Sequence, residues 1–336
     1  MTTTGIATLR DDVRDLIAVC REALRDGASW AAMRDAEPGQ DLTSDGRSLA
    51  AIGLLAGRQL PPAEGGLTLA EAAALMEVVG AELAGPFVAD ALAAGPALAA
   101  LDPGLADQVS AADVTVAVAV VDEVGADLRA CVAPGTSVIV VDDGKLAVLD
   151  ARSLAGSIND VDTSRPVLTA PLPHASTIAI GIDPALAMTL VLGHEVLVAA
   201  ETVGAARAAC AHTTAYVKDR VQFGRPVGSF QAVKHALADT WCHVELAAAA
   251  AQAAAHAIDV APTSSDARAA SAVAVATSLD ALNDAAEKAI HLHGGMGVAW
   301  ESGMRAFLRR ALAMRALLDP NRRCERTVLE HLRRTA

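Results

Sequence analysis

From Pro184 to the C-terminus the chain keeps one apolar period, that of amphipathic helices, and fills much of it with alanine. Two runs, Ala247–Ala251 and Ala253–Ala255, give one segment almost nothing larger than a methyl group to pack with. Such a helix buries its surface only by close approach to other helices, so this half of the chain must form tightly packed helices. The spacing predicts helices over Pro184–Tyr216, Phe230–Ile258, Ser264–Leu292 and Glu301–Leu317, with a last one from Asn321 to Arg334. Ser264 or Ser265, ahead of Asp266, is placed to cap the third. Composition agrees: 53% of residues are hydrophobic but only 2% are aromatic. The apolar mass is therefore alanine, valine and leucine, which favours helices over a many-stranded sandwich.

Upstream the pattern changes twice. Residues 1 to about 110 read as helices, among them Thr8–Asp26 and Leu67–Leu83, the latter after the turn-like Pro61-Pro62-Ala63-Glu64-Gly65-Gly66. Short β-branched runs follow at Val114–Val121, Ser137–Val141 and Lys145–Leu149, broken by Gly125, Pro134-Gly135 and Asp142-Asp143-Gly144. The Asp-Gly pair before Lys145 is a hairpin signal. More extended chain runs to about Ile182. The expected fold is mainly α with a small β domain: an N-terminal helical domain over 1–110, a short β domain over 111–182 and a C-terminal helical bundle over 183–336.

Several functions are disfavoured. With 27 basic against 40 acidic residues the net charge is −13, so nucleic-acid binding is not expected. From Glu301 to Ala336, however, nine arginines face four acids, which reads either as a solvated helical face or as an anion site or acidic-partner surface. The most membrane-like stretch, Val244–Val260, carries Glu245, Gln252, His256 and Asp259, and the N-terminus has no apolar signal core, so a soluble cytoplasmic protein is expected. The five cysteines are scattered with no metal-ligand spacing. They read as reduced, mostly buried thiols, and no metal site is expected.

Two segments could carry chemistry. The first, Arg220-Val221-Gln222-Phe223-Gly224-Arg225-Pro226-Val227-Gly228-Ser229-Phe230-Gln231, is a tight connector between two long helices. An arginine at a helix end and a glutamine eleven positions on could hold a phosphate and a neighbouring polar group. The second is His291-Leu292-His293-Gly294-Gly295-Met296-Gly297, whose glycines end a helix and expose backbone N–H groups to an anion or a ribose oxygen. Taken singly, each also reads as an ordinary linker or helix cap.

Together, R-x-Q-F-G-x-P-x-x-x-F-Q followed about sixty residues later by H-x-H-G-G-x-G resembles the acyl-CoA dehydrogenase family, and the helix–β–helix order is similar across essentially the whole chain. Pro62-Ala63-Glu64-Gly65-Gly66 and Met76-Glu77-Val78-Val79-Gly80 look like that family's N-terminal P-x-E-x-G-G…E-x-x-G pattern. The resemblance implies a C-terminal four-helix bundle and a FAD-dependent enzyme that desaturates acyl-CoA thioesters between Cα and Cβ. In such enzymes a carboxylate takes the α-proton and the β-hydride passes to the flavin. It also implies that the FAD spans a subunit interface. Arg220, Gln231 and His291, Leu292, His293, Gly294 and Gly295 would then reach the pyrophosphate and adenosine of a cofactor whose ring lies in the neighbouring subunit. His291 stands where the family usually has glutamine.

The departures are as informative. The family's flavin-contacting loop, T-E-P-x-x-G-S-D, should fall near Val120–Ala130, where only Glu123 and Gly125 survive. The glutamate base of a Y-E-G-T-S segment should fall near Leu317–Asn321, where Leu318 takes its place and Asp319 stands beside it. A base on the earlier helix, about 26 residues before Arg220, would be His194, with Glu195 adjacent. Capping the last helix is the simpler role for Asp319. The resemblance therefore implies a non-catalytic subunit, with no catalytic residue of its own. It would pair with a full-length homologue in an α2β2 heterotetramer, as do family members that act on bulky steroid side-chain thioesters in actinobacteria. A homomeric enzyme using Asp319 or Glu195, and a FAD-free scaffold, are the alternatives.

Overall fold

The computed structural model describes residues 9–26, 44–121, 127–142, 144–172, 179–299, 302–319 and 322–335. Its N-terminal part holds α1 (Asp11–Asp26), α2 (Ser44–Ala51), α3 (Leu69–Ala81), α4 (Val88–Leu101) and α5 (Pro103–Ser110). α3 opens on a capping box: the Thr68 hydroxyl accepts the Glu71 N–H, and the Glu71 carboxylate accepts that of Thr68. α5 starts at Pro103, with Asp102 accepting the Leu105 N–H at 3.0 Å. α4 is buried on nearly every face.

The β region holds β1 (Val116–Val118), β2 (Val120–Val121), β3 (Asp127–Cys131), β4 (Ser137–Asp142), β5 (Lys145–Asp150), β6 (Ser157–Asn159), β7 (Val167–Pro171) and β8 (Ala179–Gly181). They form two four-stranded sheets, ordered β1-β4-β5-β8 and β2-β3-β7-β6. The β1–β4 pairing is parallel and the others are antiparallel. The run expected as one strand over 114–121 breaks at Ala119, where the chain passes from one sheet to the other. The expected hairpin forms as Asp142↔Lys145, with Gly144 at φ +69°. Ala117, Leu128, Ala130, Val138, Leu149 and Leu168 belong to a separate small core.

The C-terminal helices are α6 (Pro184–Asp219), α7 (Gln231–Val260), α8 (Ser265–His293), α9 (Met304–Leu318) and α10 (Arg323–Thr335), each within three residues of its expected bounds. Cross-links fix their directions. The Ser271 hydroxyl donates to Glu195 at 2.8 Å and the Tyr216 and His293 rings stack, so α6 and α8 run parallel. The Thr240 hydroxyl donates to Asp284 at 2.6 Å and Arg207 pairs with Glu245, so α7 runs against both. α9 descends from Phe307, beside His212, to Leu318, completing an up–down–up–down bundle. Ala247, Ala251, Ala254 and Ala255 are buried in it, as the alanine runs require. α3 crosses α6 at a pair of glycines: a Cβ on Gly80 would run into the Glu201 carbonyl, and one on Gly204 into that of Glu77.

Two sequence expectations are corrected. The most membrane-like stretch is α6, not Val244–Val260; its most apolar window is nonetheless 78% buried, so it serves as the core helix of the fold. The arginine-rich end is neither a solvated face nor an anion surface throughout. Arg309 donates to the Val161 carbonyl and Thr163 hydroxyl, Arg310 is buried among acids, Arg315 pairs with Asp280 and Arg323 with Glu195. All five thiols are free, and only Cys242 is exposed.

Candidate functional site

α6 ends in Arg220, whose backbone carbonyl accepts the Val227 N–H at 2.7 Å. Between them lies a two-residue hairpin, β9 (Val221–Gln222) against β10 (Arg225–Pro226). Its corner residues Phe223 and Gly224 both have positive φ, +53° and +76°. Glycine takes that conformation freely and phenylalanine does not, yet Phe223 is 92% exposed. The Arg225 guanidinium lies 3.9 Å over the Phe230 ring, which meets Phe223 edge-on. Gly228 packs on Val217 of α6, and α7 begins at Gln231, whose amide contacts His235 at 2.8 Å. The Arg220 side chain is exposed and makes no hydrogen bond or ion pair among the described residues.

Tyr216, one turn before Arg220, brings the second segment to this end of the bundle. Its ring stacks on His293 at 4.0 Å, and its hydroxyl donates to the His293 carbonyl at 3.4 Å. Gly294 then turns the chain at φ +61°, and buried Gly297 folds it back on α8 so tightly that a Cβ would strike the Ile290 carbonyl. His291, Gly294 and Gly295 face outward and Leu292 is half-buried. The His293 imidazole points inward, with Nδ1 2.6 Å from the Ala289 carbonyl. Burial holds its pKa below the ordinary histidine value, against the opposing pull of that carbonyl. Its ring therefore fastens the loop and is not offered to an outside ligand.

The residues considered as a base are all engaged elsewhere. Glu195 is buried, with one oxygen on Arg323 at 2.6 Å and the other on the Ser271 hydroxyl. The same carboxylate raises the Arg323 pKa despite burial. His194 is buried 3.2 Å from Asp90, which also accepts the Val118 N–H at 2.7 Å, so the pair ties α6 to α4 and β1. Asp319 accepts the Cys324 N–H in the first turn of α10, a capping role, and Leu318 is buried. Glu123 and Gly125, the survivors of the flavin-contacting loop, lie outside the described residues.

Sequence reasoning missed a buried ionic joint. Arg310 of α9 donates to Asp162 at 2.8 Å, to Glu201 of α6 at 3.1 Å and to the Leu83 and Ala84 carbonyls at 3.3 and 3.4 Å. Arg165 reaches the same Glu201 oxygen, and the Ser164 hydroxyl donates to Asp162. Burial works to raise the Asp162 pKa, but Arg310, Ser164 and Arg165 outweigh it and hold the carboxyl below its ordinary value. One signal was available: Glu201, like Asp90, is a lone acid inside an unbroken apolar run.

Residues 185–318 match the domain described as "Acyl-CoA dehydrogenase, C-terminal domain". Acyl-CoA dehydrogenase IpdE2 of Mycolicibacterium smegmatis is 40% identical over 155 residues, 46% of either chain. Acyl-CoA dehydrogenase FadE34 of Mycobacterium tuberculosis is 30% identical over a stretch covering 96% of this chain and 48% of that protein. Residues 185–318 thus carry an acyl-CoA dehydrogenase C-terminal domain, and the chain as a whole is similar to acyl-CoA dehydrogenases. It spans about half the length of the curated relatives it matches. The acyl-CoA dehydrogenase fold extends over the whole chain: a variant of the Tcur3481-Tcur3483 steroid ACAD superposes with a TM-score of 0.75 at 23% identity, covering 97% of this chain and 98% of that one.

Proposed function

We propose that this chain is the non-catalytic subunit of a heteromeric, FAD-dependent acyl-CoA dehydrogenase acting on a bulky, steroid-derived CoA thioester. One observation carries the reading. Arg220 stands free on the outside of the bundle, while every acid or histidine considered as a base is already occupied within the fold. The donor set fits the nucleotide end of the cofactor: an unpaired guanidinium for a pyrophosphate, the Gln231 amide at the start of the next helix, and outward-facing His291, Gly294 and Gly295 on a turn fastened by Tyr216. When bound, FAD would supply the hydride acceptor for the desaturation of the thioester. This subunit's residues grip and orient the nucleotide, and the partner, a full-length homologue in an α2β2 assembly, supplies the base that takes the α-proton.

Two comparisons support the pairing. The Tcur3481-Tcur3483 steroid ACAD is named for two components. This chain covers about half of FadE34, which is long enough to hold two such units in one polypeptide.

Expression of the chain alone and beside a full-length homologue tests the proposal. The expected outcome is a colourless chain when alone and a yellow, active complex with about one FAD per unlike pair. A yellow homomer whose flavin is reduced by acyl-CoA refutes it, and a colourless complex refutes it in favour of a scaffold.

A further inference from the structure

A second feature lies at the opposite end of the bundle. The start of α6 and the end of α7 face α4 and the loop from Arg58 to Leu67 across a cleft of about 540 Å³, within the usual range for a small-molecule site. Thr189 on its wall is 31 positions before Arg220 on the same helix, or about 46 Å along the axis. The walls are mostly apolar, including Leu60, Pro61, Pro96 and Ile258.

Arg58 lines this cleft at only 6% exposure. Nη1 donates to the Leu92 carbonyl at 3.3 Å, Nε is buried with no partner, and no carboxylate among the described residues is within ion-pair distance. Asp259 also lines the cleft, but its two oxygens accept the Leu69 and Ala70 amides of α3 at 3.0 and 3.2 Å. Burial pushes the Arg58 pKa down to about 10, partly offset by Asp259, so the group stays charged at neutral pH. A buried guanidinium with no carboxylate in contact is costly, and native proteins complete such groups. One cation facing apolar walls, with an acid nearby, suits a singly charged ligand better than a phosphate dianion.

We infer that this cleft binds a small carboxylate with an apolar body, its carboxylate on Arg58 and its body against Leu60, Pro61, Pro96 and Ile258. The site stands independently of the nucleotide contacts at the other end. Calorimetric titration of the full chain with octanoate and with octan-1-ol, equal in length and different in charge, tests it. Octanoate should bind at least about tenfold more tightly than the alcohol, and Arg58→Gln should abolish that preference. Ala99→Phe, which narrows the cleft and leaves Arg58 in place, should weaken octanoate by a similar factor; it keeps the test decisive if Arg58→Gln fails to fold. Equal binding of acid and alcohol, no binding of either, or an unchanged preference in Arg58→Gln would overturn the inference.

Discussion

Replacing Arg310 with methionine tests the ionic joint most directly. The side chain is buried, and methionine keeps much of its length while removing every donor. Glu201 would still have Arg165, but Asp162 would be left with Ser164 alone, and the carbonyls of Leu83 and Ala84 would lose their donor. Leaving one buried charge unpaired costs about 3–5 kcal/mol. Urea unfolding followed by circular dichroism at pH 7 should therefore show a loss of that size. The pH dependence adds a second, signed test. In the native protein Asp162 titrates below its ordinary value, so its share of stability is present above the unfolded pKa and is lost as pH falls through the folded one. Without Arg310 the buried carboxyl titrates upward and takes a proton in the folded state. The gap between wild type and variant should then shrink below about pH 4. A loss under about 1 kcal/mol, or a gap that stays constant with pH, would show that the joint does not hold the three regions together.

Gly80→Ala should cost at least about 1–3 kcal/mol by the same assay, because its methyl group meets the Glu201 carbonyl and forces α3 off α6. In the isolated folded chain a thiol reagent at pH 8 should titrate only Cys242, with all five thiols reacting in urea; burial pushes Cys20, Cys210 and Cys324 up to about 12 and Cys131 higher still. Arg220→Ala should release flavin from the heteromeric complex about tenfold more readily, while the chain's stability changes by less than about 0.5 kcal/mol. Asp319→Asn keeps an oxygen for the Cys324 amide, so turnover should stay within about twofold and stability within about 1 kcal/mol; loss of turnover with flavin retained would return Asp319 to the role of base.

The C-terminal helices were legible because their apolar period is long and their ends carry the expected punctuation, as at Asp183-Pro184 and Ser264. α4 was not singled out, because it is buried on almost every side and so shows no amphipathic period. The strands after β5 are short, and pairing partners set their limits more than local propensity does. Arg220 and Gln231 stood out by spacing, but the inward turn of His293 depends on Tyr216, 77 positions earlier. The ionic joint was hidden for the same reason: Arg310 and Asp162 are 148 positions apart, and each alone looks like a surface charge.

Tyr216 is the only tyrosine in the chain. A sample carrying tyrosine labelled with carbon-13 at Cζ alone would therefore give a single resonance, and that resonance would come from the place where the ends of α6 and α8 are pinned together. Titration of cofactor or partner could be followed on one peak, without the need to assign a crowded spectrum.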